Sequence, residues 1–236
     1  MSEPVRLAKR VADLARCSRA QAEQYIEGGW VRVNGEVIEE PQFMVSGQAV
    51  EIDPDARLTP AEPATMLLHK PVDFPFVQSP TLVTADNHAQ VDPSGFRMHD
   101  RHFAHLTPLM PLDDDASGLV VLSQDGRVRR RLTEDAAQIE QEFIVEIEGA
   151  SGPYTLSKLA RGLSYQGRAL PACKVSWQNE VRLRFAIKDV RPGQLRDMCK
   201  QVGLTIVAIK RIRLGRIPLA KMPAGKWRYL PVTDRF

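Results

Sequence analysis

Apolar residues recur at helical spacing near the start of the chain. Positions 7, 11, 14 and 15 are apolar, which predicts a helix over residues 6–15. Ser18 and Gln21 form a capping-box pattern, so a second helix is expected to begin there and to stop at Gly28-Gly29. A strand, an Asn34-Gly35 hairpin turn and a returning strand follow.

The rest of the chain alternates between strand-like and helix-like segments. Residues 54–65 are rich in proline and polar side chains and predict a linker, whereas residues 77–101 predict a long loop with short pieces of structure. Helices are predicted at residues 127–133 and at residues 156–163, the latter ending at Gly162. Strands are predicted at residues 66–69, 119–122, 139–147, 170–177 and 181–187.

Three consecutive carboxylates, Asp113-Asp114-Asp115, precede the apolar run 119–122. A second turn, Asp125-Gly126, closes that run. The acidic cluster is therefore predicted to lie in a loop that leads directly into core. A carboxylate held rigidly and partly desolvated in such a loop can perform chemistry.

Composition adds only weak limits. The chain has 236 residues, 43% of them hydrophobic, and a net charge of +3, which permits one or two domains and an RNA-binding face without requiring either. Its three cysteines are far apart and fit a reducing compartment. No segment resembles a signal peptide or a membrane span, so we expect a cytoplasmic protein with no membrane partner.

The N-terminal pattern, with Ser18-Arg19 at the second helix and Val33-Asn34-Gly35 at the hairpin, resembles the S4 RNA-binding module. Basic side chains beside a helix N-terminus attract phosphate. The alternative is that Ser18 only caps its helix and that Arg19 is only solvated. The resemblance implies RNA contacts from five residues: Arg10, Ser18, Arg19, Arg32 and Asn34.

Four further matches, Lys70-Pro71, Leu112-Asp113, Gly118-Leu119 and Asp125-Gly126, resemble the motifs of pseudouridine synthases. The branch concerned modifies ribosomal RNA and carries an N-terminal S4 domain. The resemblance implies that Asp113 is the nucleophile, and action as a base toward the ribose stays open as the alternative. Within and beside these motifs the chain departs from the family pattern at three positions: Phe74 stands where glycine is usual, Pro111 where arginine is usual, and Ala116 where threonine or serine is usual.

The resemblance also implies a closing strand at residues 206–213 and assigns roles around Asp113. Gln194-Leu195-Arg196 resembles a helix of the family, which implies that Arg196 is the ionic partner of Asp113 and that Leu195 lines the base pocket. Phe143 stands where the family has a tyrosine that stacks on the target base, although it could simply be core. Arg129 and Arg130 in the predicted basic helix either bind phosphate or form a solvated face.

These features predict an α+β protein. An S4 domain of small α/β type at residues 1–53 and a linker at residues 54–65 are followed by a catalytic domain at residues 66–236 with a mixed, largely antiparallel sheet. The function implied by the resemblance is isomerisation of uridine to pseudouridine in structured RNA. We expect a monomer without cofactor or metal whose partner is ribosomal RNA, with transfer RNA as the alternative.

Two other functions stay open at this point. The departures at Phe74, Pro111, Ala116 and Phe143 would also fit a non-catalytic RNA-binding or ribosome-assembly factor. The acidic cluster 113–115 could instead hold a divalent metal in a hydrolase or glycosyltransferase. A separate metal site at His99, His102 and His105 is a further alternative, because imidazoles at three-residue intervals on a helix lie near one face.

Overall fold

The computed structural model describes residues 3–58, 63–149, 151–161 and 163–236, and the chain divides into two compact units. The first unit contains the described residues up to Pro63 together with the segment Arg97–Ala104. The second contains Ala64–Phe96 and His105–Phe236. Gly162, the predicted end of a helix, and residues 59–62 of the predicted linker lie outside the described residues.

The first unit has the predicted helices and hairpin. Its core is formed by apolar residues of both helices and of the strand that follows them, including Leu7, Val11, Ile26 and Val31. The elements are β1 (Val5–Arg6), α1 (Leu7–Ala15), α2 (Arg19–Glu27), β2 (Val31–Val33), β3 (Glu36–Val37), β4 (Met44–Val45) and β5 (Val50–Ile52). Strand β1 pairs with β4, and β2 pairs with both β3 and β5, all antiparallel.

Local side-chain hydrogen bonds explain where these elements begin and turn. Ser18 Oγ accepts from the Gln21 amide at 3.2 Å, and Gln21 Oε1 accepts from the Ser18 amide at 2.9 Å, which confirms the predicted capping box. Asn34 adopts a φ of 51°, and its Oδ1 accepts from the Ala49 amide at 3.0 Å. Asparagine tolerates this left-handed conformation, so the residue shapes the hairpin turn.

Polar contacts tie the segment Arg97–Ala104 into the first unit. The carboxylate of Glu39 accepts from His99 Nδ1 and from the Asp100 amide, both at 2.8 Å. The guanidinium carbon of Arg97 lies 4.7 Å from the ring centroid of Trp30, a cation–π contact. Sequence position alone would have assigned this segment to the domain that surrounds it, because its partners lie far away along the chain.

The stability of the first unit is expected to fall in mild acid because of His102. This side chain is buried, and its burial lowers the pKa to about 4 from an ordinary 6.5, with the neighbouring His99 and Arg101 acting in the same direction. The unfolded chain therefore takes up the proton first. Full stability is expected above pH 6.5, with a loss of up to about 3 kcal/mol as the pH falls towards 4.

Urea unfolding followed by tryptophan fluorescence across this pH range measures the loss. His102→Asn should flatten the pH dependence, whereas His105→Asn, at an exposed position, should leave it unchanged. An unaltered slope in His102→Asn would assign the acid sensitivity to other groups.

The second unit is built on one mixed sheet. The strands of this unit are β6 (Thr65–Lys70), β7 (Thr107–Leu109), β8 (Ser117–Ser123), β9 (Glu140–Glu148), β10 (Ser164–Tyr165), β11 (Arg168–Ala169), β12 (Lys174–Asn179), β13 (Arg182–Lys188), β14 (Thr205–Leu214), β15 (Ile217–Pro218) and β16 (Trp227–Tyr229). In the sheet the order is β12-β13-β9-β14-β8-β6-β16, with β7 paired to β8 and β15 to β14. Strands β8 and β14 run parallel and the other named pairs are antiparallel, so the unit has the predicted α+β class.

Three helices accompany this sheet: α3 (Gly126–Thr133), α4 (Thr155–Ala160) and α5 (Gln194–Gln201). All six residues of β6 are buried, as are Gly118–Ser123 of β8, so these adjacent strands form the centre of the core. No helix within the described ranges is long and apolar enough to cross a membrane.

Two predicted segments have different outcomes. The long loop contains short 3₁₀ turns, at Phe76–Leu82, Ala85–Asn87 and Asp100–Phe103, as predicted. The strand predicted at 170–177 begins only at Lys174. The Cys173 amide donates to the Ala160 carbonyl at the end of α4, and the Leu170 amide donates to the Leu163 carbonyl. These two amides therefore do not donate to a neighbouring strand.

Gly118 allows β8 and β14 to approach closely. Its φ is 121°, and a Cβ atom there would lie 2.3 Å from the carbonyl oxygen and 2.5 Å from the amide nitrogen of Arg211. Both contacts are with backbone, which cannot move aside cheaply. We expect Gly118→Ala to lower the free energy of unfolding by roughly 3 kcal/mol or more, measured by urea titration.

Gly126→Ala is the matched control for this substitution, because a Cβ atom at Gly126 meets no heavy atom within 4 Å. A Gly118→Ala protein as stable as the Gly126→Ala protein would contradict the close approach.

Candidate active site

The loop between β7 and β8 holds the acidic cluster, and Asp113 is its most organised member. The Gly193 amide donates to both carboxylate oxygens of Asp113, at 3.0 and 3.2 Å. Gly193 is the N-cap residue of α5. The carboxylate therefore lies at the positive end of a helix dipole, which stabilises negative charge there.

Only glycine fits at the residue that donates to Asp113. Gly193 has a φ of 76°, and a Cβ atom there would lie 2.8 Å from the Tyr165 hydroxyl oxygen. That hydroxyl donates to the Pro192 carbonyl at 2.7 Å and so holds the turn before α5. A side chain at this position would therefore strain the turn that carries the amide.

A buried arginine on β14 lies beside the same loop. The guanidinium of Arg211 donates to the Leu119 carbonyl at 2.7 Å, to the Pro111 carbonyl at 3.0 Å and to Gln141 Oε1 at 3.1 Å. Its burial lowers the pKa of Arg211 to about 9, and the negative charge of Asp113 acts in the opposite direction. Arg211 therefore carries a positive charge at neutral pH and stabilises the carboxylate.

Sequence reasoning missed Arg211 as a site residue. A signal was present, because Ile209 and Arg211 are two residues apart in a predicted strand and so face the same side. In the structure both are buried, whereas Lys210 between them is exposed. A buried arginine seldom lacks a structural or chemical role, since its desolvation is costly.

The predicted ion pair between Arg196 and Asp113 is wrong. Arg196 Nη2 lies 2.6 Å from Oδ2 of Asp115 instead. The physical reason is that Gly193, at the start of α5, occupies the space against Asp113, and Arg196 follows almost a full turn later. Because this pair is partly exposed, we expect it to contribute little to stability.

A buried lysine holds the acidic loop from the other side. Lys70 Nζ donates to the carbonyls of Asp114 and Phe74, both at 2.7 Å, and to that of Pro71 at 3.0 Å. Burial lowers the pKa of Lys70, and the carboxylates of Asp114 and Asp115 oppose that shift. Lys70 thus links the end of β6 to the Asp113 loop, which accounts for the Lys-Pro motif.

An open cleft lies in front of Asp113. Phe143 and Leu195 line it together with Asp113, so the structure brings these three predicted residues together. Phe143 is only 2% exposed and is therefore part of the core as well as of the cleft wall. The cleft thus combines one fixed carboxylate with largely apolar walls.

The predicted RNA-binding residues lie on the surfaces of their own units. In the first unit all five are exposed, and two of the arginines have partners: Arg19 Nε lies 3.0 Å from Glu23 Oε1, and Arg32 Nη1 donates to the Gly35 carbonyl at 3.1 Å. Arg129 and Arg130 are exposed on α3. RNA contact by these residues stays a prediction. The residues concerned are Arg10, Ser18, Arg19, Arg32, Asn34, Arg129 and Arg130.

The metal alternatives depend on the positions of the described His, Cys, Asp and Glu side chains. Within the described ranges, no group of three or more His, Cys, Asp or Glu side chains is arranged to hold a metal ion. His99 Nδ1 forms a hydrogen bond with Glu39 Oε1. The ring of His99 lies edge-on to the ring of His102, with the centroids 5.0 Å apart.

This chain is similar to several known proteins. A family model described as the S4 domain matches residues 5–50. A ribosomal large subunit pseudouridine synthase B of Bacillus subtilis is 28% identical, with 95% of this chain and 91% of the relative covered. An uncharacterized RNA pseudouridine synthase of Aquifex aeolicus is 27% identical, with 96% and 92% covered.

A further relative is the dual-specificity RNA pseudouridine synthase RluF of Escherichia coli strain K12, 24% identical over 96% of this chain and 75% of that protein. The fold is similar to a crystal structure of pseudouridylate synthase, with a TM-score of 0.61, 20% identity and 96% of each chain covered. The chain therefore carries an S4 domain at residues 5–50 and is similar over nearly its whole length to RNA pseudouridine synthases, which are isomerases.

Proposed function

We propose that this protein converts uridine to pseudouridine in structured ribosomal RNA, with Asp113 as the nucleophile. The observation that supports this most is the setting of Asp113, whose carboxylate is held by the Gly193 amide beside the charge of Arg211 at an apolar cleft. A relative named as a ribosomal large subunit synthase supports ribosomal RNA as the substrate, with transfer RNA as the alternative.

The reaction rearranges bonds without a net change in oxidation state. The N1–C1′ bond breaks, the uracil turns, and C5 bonds to C1′, while the hydrogen on C5 leaves as a proton and N1 gains one. An ionised carboxylate can attack the ribose and hold it while the base turns. The reaction requires no redox cofactor, so the described cleft residues can supply the groups it needs.

The other cleft residues orient the base. The target uridine must leave its stack to reach Asp113. The ring of Phe143 offers an aromatic face and Leu195 an apolar contact, both of which suit a uracil. Phe143 has no hydroxyl, so among the predicted catalytic residues Asp113 is left, with water, to accept the C5 proton. Arg196 of α5 pairs with Asp115, which lies in the same loop as Asp113.

The first unit supplies affinity and register. Exposed basic residues of an S4 domain bind phosphate, which positions RNA without reading bases. We place the protein in the cytoplasm, where it acts as a monomer on ribosomal RNA.

A second candidate function is a non-catalytic RNA-binding or ribosome-assembly factor. Phe143 and Pro111 favour it, because neither brings an ionisable group to the cleft. The fixed carboxylate of Asp113 argues against it, since a binding protein gains nothing from a rigid anion that faces RNA.

Mapping of pseudouridine in ribosomal and transfer RNA tests the proposal. RNA is taken from cells that lack the gene and from cells complemented with wild type or with Asp113→Asn. One uridine that loses its modification, regains it with wild type and not with Asp113→Asn is the expected result. No difference between these RNAs at any site would overturn the proposal in favour of the binding factor.

A further inference from the structure

The positive charges around Asp113 differ in how far they are already engaged. Arg211 and Lys70 are buried and bonded to carbonyl groups. Arg196 is paired with Asp115. Arg191 is different, because it is exposed and lines the cleft. Among the described residues it has no ion-pair partner.

The backbone of Arg191 is fixed although its side chain is exposed. The Arg191 amide donates to Gln194 Oε1, and the Gln194 amide donates to the Arg191 carbonyl, both at 3.1 Å. Gln194 is fully buried, so this reciprocal pair anchors the turn. Gly193, between them, donates to Asp113. The guanidinium of Arg191 is therefore attached to the same rigid turn that positions the nucleophile.

The charge of the cleft is asymmetric. Among the described residues that line it, Arg191 is the cation and Asp113 the anion, while Pro111, Val190 and Pro192 are uncharged. A nucleotide has a flat base, which can pack against the apolar walls, and a charged phosphate, which cannot. Guanidinium groups bind phosphate oxygens in a fork of two hydrogen bonds, so Arg191 matches the part of the nucleotide that the rest of the cleft leaves unpaired.

We infer that Arg191 is a substrate-positioning residue whose guanidinium binds a backbone phosphate next to the target uridine. This inference rests on the proposed function of the same cleft. Arg191, which binds the phosphate, and Gly193, whose amide holds Asp113, belong to the same turn. Binding of that phosphate therefore sets the ribose at a constant distance from Asp113. The S4 unit then holds the RNA, and Arg191 holds the nucleotide that reacts.

The test compares Arg191→Gln, Arg191→Lys and the control Arg216→Gln, which removes another exposed arginine at the turn between β14 and β15. The probe is a ribosomal RNA hairpin with one uridine that wild type binds and, where the proposed function holds, converts. Arg191→Gln should raise KM and the Kd of the hairpin roughly tenfold, with a smaller change in kcat, and should lower the salt dependence of binding by about one ion. Arg191→Lys should recover most of the loss, and Arg216→Gln should behave as wild type.

A chemical change in the RNA locates the contact. Hairpins that carry one uncharged methylphosphonate, either 5′ or 3′ to the uridine, should bind wild type more weakly at one of the two positions. Arg191→Gln should show no such difference, because the contact is already lost. If the methylphosphonate weakens both proteins equally at both positions, Arg191 does not bind these phosphates and the inference fails.

Failure of the proposed function is seen separately. The proposed function fails if the wild-type protein converts no uridine in any RNA tested. The binding comparison between wild type and Arg191→Gln does not require conversion, so it still decides the inference in that case. Equal unfolding midpoints for the variants exclude a change in fold as the cause.

Discussion

Replacement of Asp113 by Asn is expected to reduce the rate of uridine conversion by a factor on the order of 10⁴ or more, as in other enzymes that lose their nucleophile. The amide is nearly the same shape as the carboxylate, and its oxygen can still accept from the Gly193 amide. It has no negative charge with which to attack the ribose, so chemistry is lost while the fold is kept. Single-turnover release of tritium from RNA labelled at uridine C5 measures the rate.

Asp115→Asn is the matched control for this experiment. Asp115 is in the same loop, but its side chain is 53% exposed and paired with Arg196. We expect a change in rate below about tenfold, because a surface ion pair contributes little. A large loss in Asp115→Asn together with an active Asp113→Asn protein would move the nucleophile to Asp115.

Replacement of Arg211 by Met is expected to have the second-largest effect, because it affects both stability and chemistry. The substitution leaves the Leu119 and Pro111 carbonyls without their donor and removes the positive charge beside Asp113. We expect a loss of about 3–5 kcal/mol in the free energy of unfolding, as for other disrupted buried charges. The conversion rate should fall by at least about 100-fold, in line with the loss of one preorganised electrostatic contact.

Arg211→Lys separates the charge from the hydrogen-bond geometry. Lysine keeps the positive charge near Asp113 but cannot present a planar fork to three acceptors. Its stability and activity should therefore lie between those of wild type and Arg211→Met, with urea unfolding and single-turnover rates measured on the same preparations. If Arg211→Met is as stable and as active as wild type, the guanidinium does not support the site.

The elements that depend on nearby residues were predictable from sequence. Ser18 and Gln21 are three positions apart, and their capping box forms because each side chain reaches the other's amide within one helical turn. The Asn34-Gly35 turn and the loop ahead of β8 follow from the same kind of local chemistry. For Asp113 the loop position came from the residue pattern, and its assignment as nucleophile came from the family resemblance.

The neighbours of Asp113 were decided by tertiary structure. Strands β8 and β14 are distant in sequence and meet as a parallel pair, with Gly118 opposite Arg211. That pairing brings a buried guanidinium to the acidic loop, and periodicity along either strand does not reveal it. The same holds for Gly193, whose amide reaches Asp113 only after α5 has packed, and for Arg196, which therefore meets Asp115.

The sequence by itself therefore determined the helices and hairpin of the first unit and the position of Asp113 in a loop ahead of a strand, because these depend on residues within a few positions of one another. The S4 resemblance and the candidate nucleophile came from motifs spaced along the chain. Only the tertiary structure decided which charges surround that nucleophile and where the segment Arg97–Ala104 packs. The physical reason is that burial and charge pairing depend on which distant strands become neighbours, and the order of strands in a sheet is not encoded in any single local pattern.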